Sequence, residues 1–254
     1  ADRLIASADV PDDLPGRLFG GLVPHAGWTF SGSIAALTLK ALHAAAPLEH
    51  VVLFGADHVG TVRRGEVYDS GVWRTPLGDV PVDEELAGAL LEACDAMRAN
   101  PDAHAMEHSL EVQLPFLQKT LHDFKIVPIV FGSENRDWKD LAEAILNNIR
   151  NKKVLIIASS DLSHYPPYEE AKKEDLRTLE IIENLDTAGL DRELISGFET
   201  FLCAKDSTKT LMEITRNVGG KAKILKYANS GGSAAGDKER VVGYGAVAFY
   251  KEFN

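Results

Sequence analysis

Side chains able to hold a metal ion or move protons recur at three places, each just after an apolar run: Pro24-His25-Ala26-Gly27, Gly55-Ala56-Asp57-His58 and Ser159-Ser160-Asp161-Leu162-Ser163-His164. Imidazole and carboxylate ligate transition metals and serve as acid or base near neutral pH. A proline and a glycine around His25 let the chain bend sharply, and Gly55 does the same ahead of Asp57 and His58. Plainer readings stand beside these: His25 as a solvated turn residue, Asp57 as the cap of a short helical turn. Asp161 and His164 are three apart, so a helical turn would let the carboxylate orient the imidazole. Glu107-His108-Ser109-Leu110-Glu111 opens a segment whose Leu110, Leu114, Leu117 and Leu121 keep helical spacing. Glu107 and Glu111 suit a helix start, while His108 at the junction is placed to give a proton or stabilise an oxyanion.

Other chemistry is less well supported. A Ser/His/Asp hydrolase would need a Gly-x-Ser-x-Gly elbow, which is absent, and residues 159–164 lie too close in sequence for triad geometry. Cys94 shares the spacing of Leu86, Leu90 and Met97 and reads as core. Cys203, between two predicted helices, reads by itself as structural, with a thiol facing a cavity as the alternative. His43, His50, His104 and His122 lack supporting neighbours and read as structural or exposed. The glycine-rich run 231–236 has no P-loop ending and opens no helix, so no nucleotide site is expected.

The elements that must position these groups alternate in type. Strands are predicted over 18–23, 51–55, 125–131 and 154–158, and helices over 33–45, 82–98, 108–121, 137–150 and 168–185. Such apolar strands are covered on both faces, which predicts an α/β fold with a mostly parallel central sheet flanked by helices. The loops after the parallel strands then meet in one crevice. Helices over 191–202 and 207–218 precede strands over 222–227 and 241–250, predicted to form an antiparallel C-terminal edge. Residues 1–254 show no interdomain linker and read as one domain.

With a net charge of −11 and no basic stripe, a nucleic-acid partner is not expected, and a small or neutral ligand fits better. Two cysteines cannot build a disulfide framework and suit a reducing cytoplasm. No apolar run reaches membrane-spanning length. Neither substrate nor oligomeric state can be read from the sequence.

Several of these motifs occur together in order: Pro24-His25-Ala26-Gly27-Trp28 through Ser31-Gly32, Gly55-Ala56-Asp57-His58, Trp73-Arg74-Thr75-Pro76-Leu77-Gly78, Glu107-His108-Ser109-Leu110-Glu111-Val112-Gln113-Leu114-Pro115-Phe116, Ser159 to His164, and Gly243-Tyr244-Gly245-Ala246. In this ordered set the chain resembles the Memo family over nearly its whole length. The resemblance implies a fold like that of the LigB-type, class III extradiol dioxygenases. It also implies a metal held by His25, His58 and Cys203, with His108, Asp161 and His164 around it. Iron suits that mixed imidazole and thiolate set, and copper or zinc would also fit, whereas magnesium and calcium prefer oxygen. The run Cys203-Ala204-Lys205-Asp206 departs from the family, which commonly has glycine after the cysteine. The family's N-terminal segment, with its Gly-x-Phe-Tyr-Pro stretch, is expected to be missing before Ala1, leaving an open crevice.

What the resemblance implies is a mononuclear metal protein with redox or oxygen-dependent activity, in which His164 acts as acid or base and His108 stabilises negative charge. A thiolate in place of the extradiol carboxylate argues against catechol cleavage itself. Two rivals remain: a protein that captures a peptide or phosphopeptide in the same crevice, and a metal-dependent hydrolase.

Overall fold

Every residue of Val154-Leu155-Ile156-Ile157-Ala158-Ser159 is buried, as a strand covered on both faces requires. The computed structural model describes residues 1–14, 16–43, 48–60, 62–132, 137–150, 152–195, 202–233 and 236–252. In chain order its elements are α1 (Asp2–Ser7), β1 (Arg17–Val23), α2 (Trp28–His43), β2 (His50–Ala56), β3 (Gly65–Val67), β4 (Val72–Thr75), β5 (Gly78–Pro81), α3 (Glu84–Ala93), β6 (Met97–Ala99), α4 (Leu114–Thr120), β7 (Lys125–Phe131), α5 (Trp138–Asn148), β8 (Val154–Ser159), α6 (Tyr168–Glu183), α7 (Thr187–Ile195), α8 (Lys205–Asn217), β9 (Lys221–Asn229) and β10 (Gly243–Lys251).

Eight strands form one sheet in the order β6-β3-β7-β2-β8-β1-β10-β9. The centre, β7-β2-β8-β1, is parallel. The expected antiparallel edge is present as β1-β10-β9, and β3 also runs against β7 on the far side. Alternate residues of β2 face opposite layers. Val52 and Phe54 pack with Leu86 of α3, Leu141 of α5, Leu179 of α6 and Leu211 of α8. Val51 and Leu53 pack with Leu39 and Leu42 of α2 and Leu117 of α4. The sheet is thus sandwiched between two helical layers, each sealing one apolar face.

Three expectations change in detail. The helix predicted over 82–98 stops at Ala93, because Cys94 is extended (φ −146°, ψ 109°). Met97–Ala99 instead pairs with β3. The helix predicted over 108–121 begins as a 3₁₀ turn at Glu111–Gln113 and becomes α-helical at Leu114, with Pro115 in its first turn, where a missing N–H costs nothing. The helix predicted over 191–202 coincides with α7 as far as Ile195, and residues 196–201 lie outside those described, as do 44 and 45 of the helix predicted over 33–45.

Candidate metal centre

The adjacent strands β1, β8 and β2 end at Val23, Ser159 and Ala56. Two residues beyond each end stand His25, Asp161 and His58. Val23 pairs with Ser159 and β2 runs one residue further, so these offsets bring the three residues close to one level, in the crevice outside the carboxyl ends. Cys203, just before α8, completes the group. One ligand atom each from His25, His58 and Cys203 lies within 4.8 Å of the others.

Hydrogen-bond accounting assigns the protons. Ser159 Oγ has one hydrogen, and it must go to the Ser109 carbonyl at 2.6 Å, which can only accept. Gln113 Nε2 donates to the Pro24 carbonyl at 2.9 Å and to Ser159 Oγ at 3.0 Å. Ser159 Oγ is therefore left to accept from His25 Nδ1 at 3.1 Å. Nδ1 carries the proton, and Nε2 keeps its lone pair for the centre. Burial, and then the neighbouring imidazoles His58 and His108, hold His25 well below the ordinary histidine range.

His58 is oriented by a carboxylate. Its Nδ1 lies 3.0 Å from Glu107 Oε1, leaving the opposite nitrogen for the centre. Glu107 also accepts from His58 N at 2.9 Å and from Ser109 N at 2.6 Å. Burial raises the Glu107 carboxyl, but the bonds from His58 and Ser109 together outweigh it and pull the group down to about 2. The bond to Glu107 raises His58 in turn, against the effect of its own burial. Gly55 admits this arrangement, since a Cβ there would meet Ser109 Oγ, which binds the amide of Ala56.

Cys203 Sγ lies 3.2 Å from His25 Nε2 and accepts from Asp161 N at 3.2 Å. Burial first, and then the nearby Asp161 carboxylate, push the thiol up to about 12. The sulfur accordingly keeps its proton, with the Nε2 lone pair at 3.2 Å and the Asp161 carbonyl at 3.6 Å as its acceptors. A cation replacing that one proton would join both groups. The donors thus fit a soft or borderline ion.

Asp161 behaves differently from the sequence expectation. Residues 160–163 make no helical turn. Its carboxylate accepts from His25 N at 2.8 Å and Ala26 N at 3.3 Å rather than from His164. Burial raises its carboxyl, while those bonds and the nearby His164 counteract the rise. His164 is half-buried, its backbone bridged to Val242, and it does not join the group of His25, His58 and Cys203. The His108 ring centre lies 4.5 Å from that of His58 and 5.5 Å from that of His25. Beside it opens a cavity of about 640 Å³ walled by Tyr68, Trp73, Arg74, Met106 and Glu107.

Sequence reasoning undervalued Glu107, read as helix-start chemistry, and did not single out Ser159 or Gln113. Gln113 carried a signal, a polar residue among the buried leucines at 110, 114 and 117. Of the histidines set aside, His104 is buried on the Glu66 carbonyl and His50 is paired with Asp83, while His43 and His122 are exposed. Cys94 is in the core.

A family model described as Memo-like protein matches residues 16–248. A MEMO1 family protein of Desulfurococcus amylolyticus is 40% identical over 245 residues, covering 94% of this chain and 86% of its own. One from Methanobrevibacter smithii is 41% identical over 232 residues, covering 90% and 82%. The crystal structure of an uncharacterized Escherichia coli K12 protein superposes with a TM-score of 0.58 over 92% of this chain and all of its own, at 14% identity, a likeness of fold alone. The ordered motifs, the match along nearly the whole chain and these relatives lead to one assignment: the chain belongs to the Memo-like family.

Proposed function

We propose that the chain is a mononuclear metal protein carrying out redox or oxygen-dependent chemistry on a small molecule or peptide, with iron the best-suited ion and copper or zinc alternatives. The observation that carries this reading is the placement of ligand atoms from His25, His58 and Cys203 within 4.8 Å of one another, with His25 Nδ1 held by Ser159 and His58 Nδ1 held by Glu107. A redox-active ion, when bound, supplies electron exchange and oxygen affinity. The protein's own groups do the rest. Glu107 fixes the ring of His58, Ser159 fixes that of His25, and Asp161 fixes the backbone of the His25 turn. His108, beside the cavity, stabilises negative charge developing on a ligand there, and the half-buried His164 exchanges protons with it. The thiolate donor remains an argument against catechol cleavage. Both cysteines are unpaired thiols, which suits a cytoplasmic protein. No described helix is long and apolar enough to cross a membrane.

The test is metal content by mass spectrometry on protein purified without oxygen and without a metal-carrying tag. Near one iron or copper per chain is expected, lost in His25→Ala and in His58→Ala; unchanged content in those variants overturns the assignment. Stoichiometric zinc with ester or amide turnover would mark a hydrolase instead, and peptide affinity surviving metal loss a binding protein.

A further inference from the structure

A second triad abuts the first. Ligand atoms of His58, Glu107 and His108 also lie within 4.8 Å of one another. Glu107 Oε1 is 3.0 Å from His58 Nδ1 and 3.8 Å from His108 Nδ1. The Glu107 side chain is 1% exposed, and no lysine or arginine is among its described ion-pair partners. Backbone amides of His58 and Ser109 hold this carboxylate, but its described ion-pair partners are two imidazoles alone, so a cation would complete its charge balance.

Exposure is graded across the two triads. The His108 side chain is 50% exposed, His58 31% and His25 1%. An ion arriving from solvent therefore meets His108 and His58 before it can reach His25, while Cys203 is half-buried. We infer that His58, Glu107 and His108 form an outer cation position that loads the buried one, with His58 as the shared ligand. This rests on the reading of His25, His58 and Cys203 as the inner site.

The two positions exclude each other. A neutral imidazole has one lone pair, so His58 serves the outer position through Nδ1 with its proton on Nε2, or the inner position through Nε2 with its proton on Nδ1. On transfer inward the His58 proton returns to Nδ1, where Glu107 accepts it, and the Cys203 proton leaves to solvent as sulfur takes the ion. The donors change with depth as well. Two nitrogens and a carboxylate receive a partly hydrated ion outside, and two nitrogens and a thiolate retain a softer one inside.

Cobalt(II) added to the chelator-stripped full chain tests this, because a thiolate-to-cobalt charge-transfer band reports arrival at Cys203. The wild type should bind one cobalt with that band. His108→Ala should reach the same endpoint at least about tenfold more slowly. In Cys203→Ser one cobalt should bind without the band, and adding His108→Ala should weaken that binding at least about tenfold. His108 is half exposed, so its replacement leaves the core intact, which circular dichroism verifies. If His108→Ala changes neither the uptake rate nor the Cys203→Ser affinity, the outer position is refuted while the inner one stands. No thiolate band in the wild type refutes the inner site and the loading route with it.

Discussion

Replacing Glu107 by Gln keeps the shape of the side chain and removes its charge. Each carboxylate oxygen accepts from a backbone amide, Oε1 from Ser109 N and Oε2 from His58 N. Either orientation of the new amide therefore sets its NH₂ against a backbone N–H. The energy follows from the ionisation of the native group, which falls from an ordinary 4.5 to about 2 because three hydrogen bonds favour the charged form over the opposing effect of burial. A gap of that size corresponds to roughly 3 kcal/mol of stability, since one unit is about 1.4 kcal/mol. The sign is set by a depressed carboxyl. The contribution is complete above pH 4.5 and is lost as pH falls toward the folded value of about 2. By the same relation roughly 1.4 kcal/mol survives at about pH 3. Differential scanning calorimetry of the metal-stripped protein should show Glu107→Gln melting roughly 6–12 °C lower near neutral pH. That difference should shrink by about half at pH 3. A neutral-pH difference under about 2 °C, or one that does not narrow on acidification, would refute the account of Glu107 as a charged anchor for His58. Metal affinity should fall by roughly 10–100-fold in the same variant, because the ring loses its orienting partner.

Two further outcomes follow from other parts of the structure. Ser159→Ala deprives His25 Nδ1 and Gln113 of their shared acceptor, so stability should drop by about 1–3 kcal/mol. Nitrogen NMR should show His25 losing its single Nδ1-protonated form, and a spectrum unchanged from wild type would contradict the proton assignment. Asp175 is fully buried, and burial raises it to about 6 even though it accepts from Ser163 N and Tyr227 Oη. A raised carboxyl makes stability fall as pH climbs from about 4 through about 6, by roughly 3 kcal/mol. Asp175→Asn can keep both partners and should flatten that slope in urea titrations; an equally steep slope in the variant would exclude Asp175 as its source.

How much could be read from the chain alone depended on how local the cause was. The strands 125–131 and 154–158 were legible because unbroken apolar runs have few other places to go. Short strands such as Gly65–Val67 and Met97–Ala99 were not, since each is only three residues and is held by its partner. His25 and His58 stood out through their turns, whereas Glu107 was legible only as a helix-start residue. Its role depends on β2 carrying His58 to it from 49 positions away.

The sequence by itself determined the fold class, the family and which residue types could hold a metal, because these rest on periodicity, turn chemistry and an ordered set of motifs. Only the tertiary structure decided which nitrogen of His25 is bare, which carboxylate orients His58, and that Asp161 serves the His25 turn rather than His164. Those are matters of hydrogen-bond partners drawn from strands and loops far apart in the chain, and distance in sequence carries no record of distance in space.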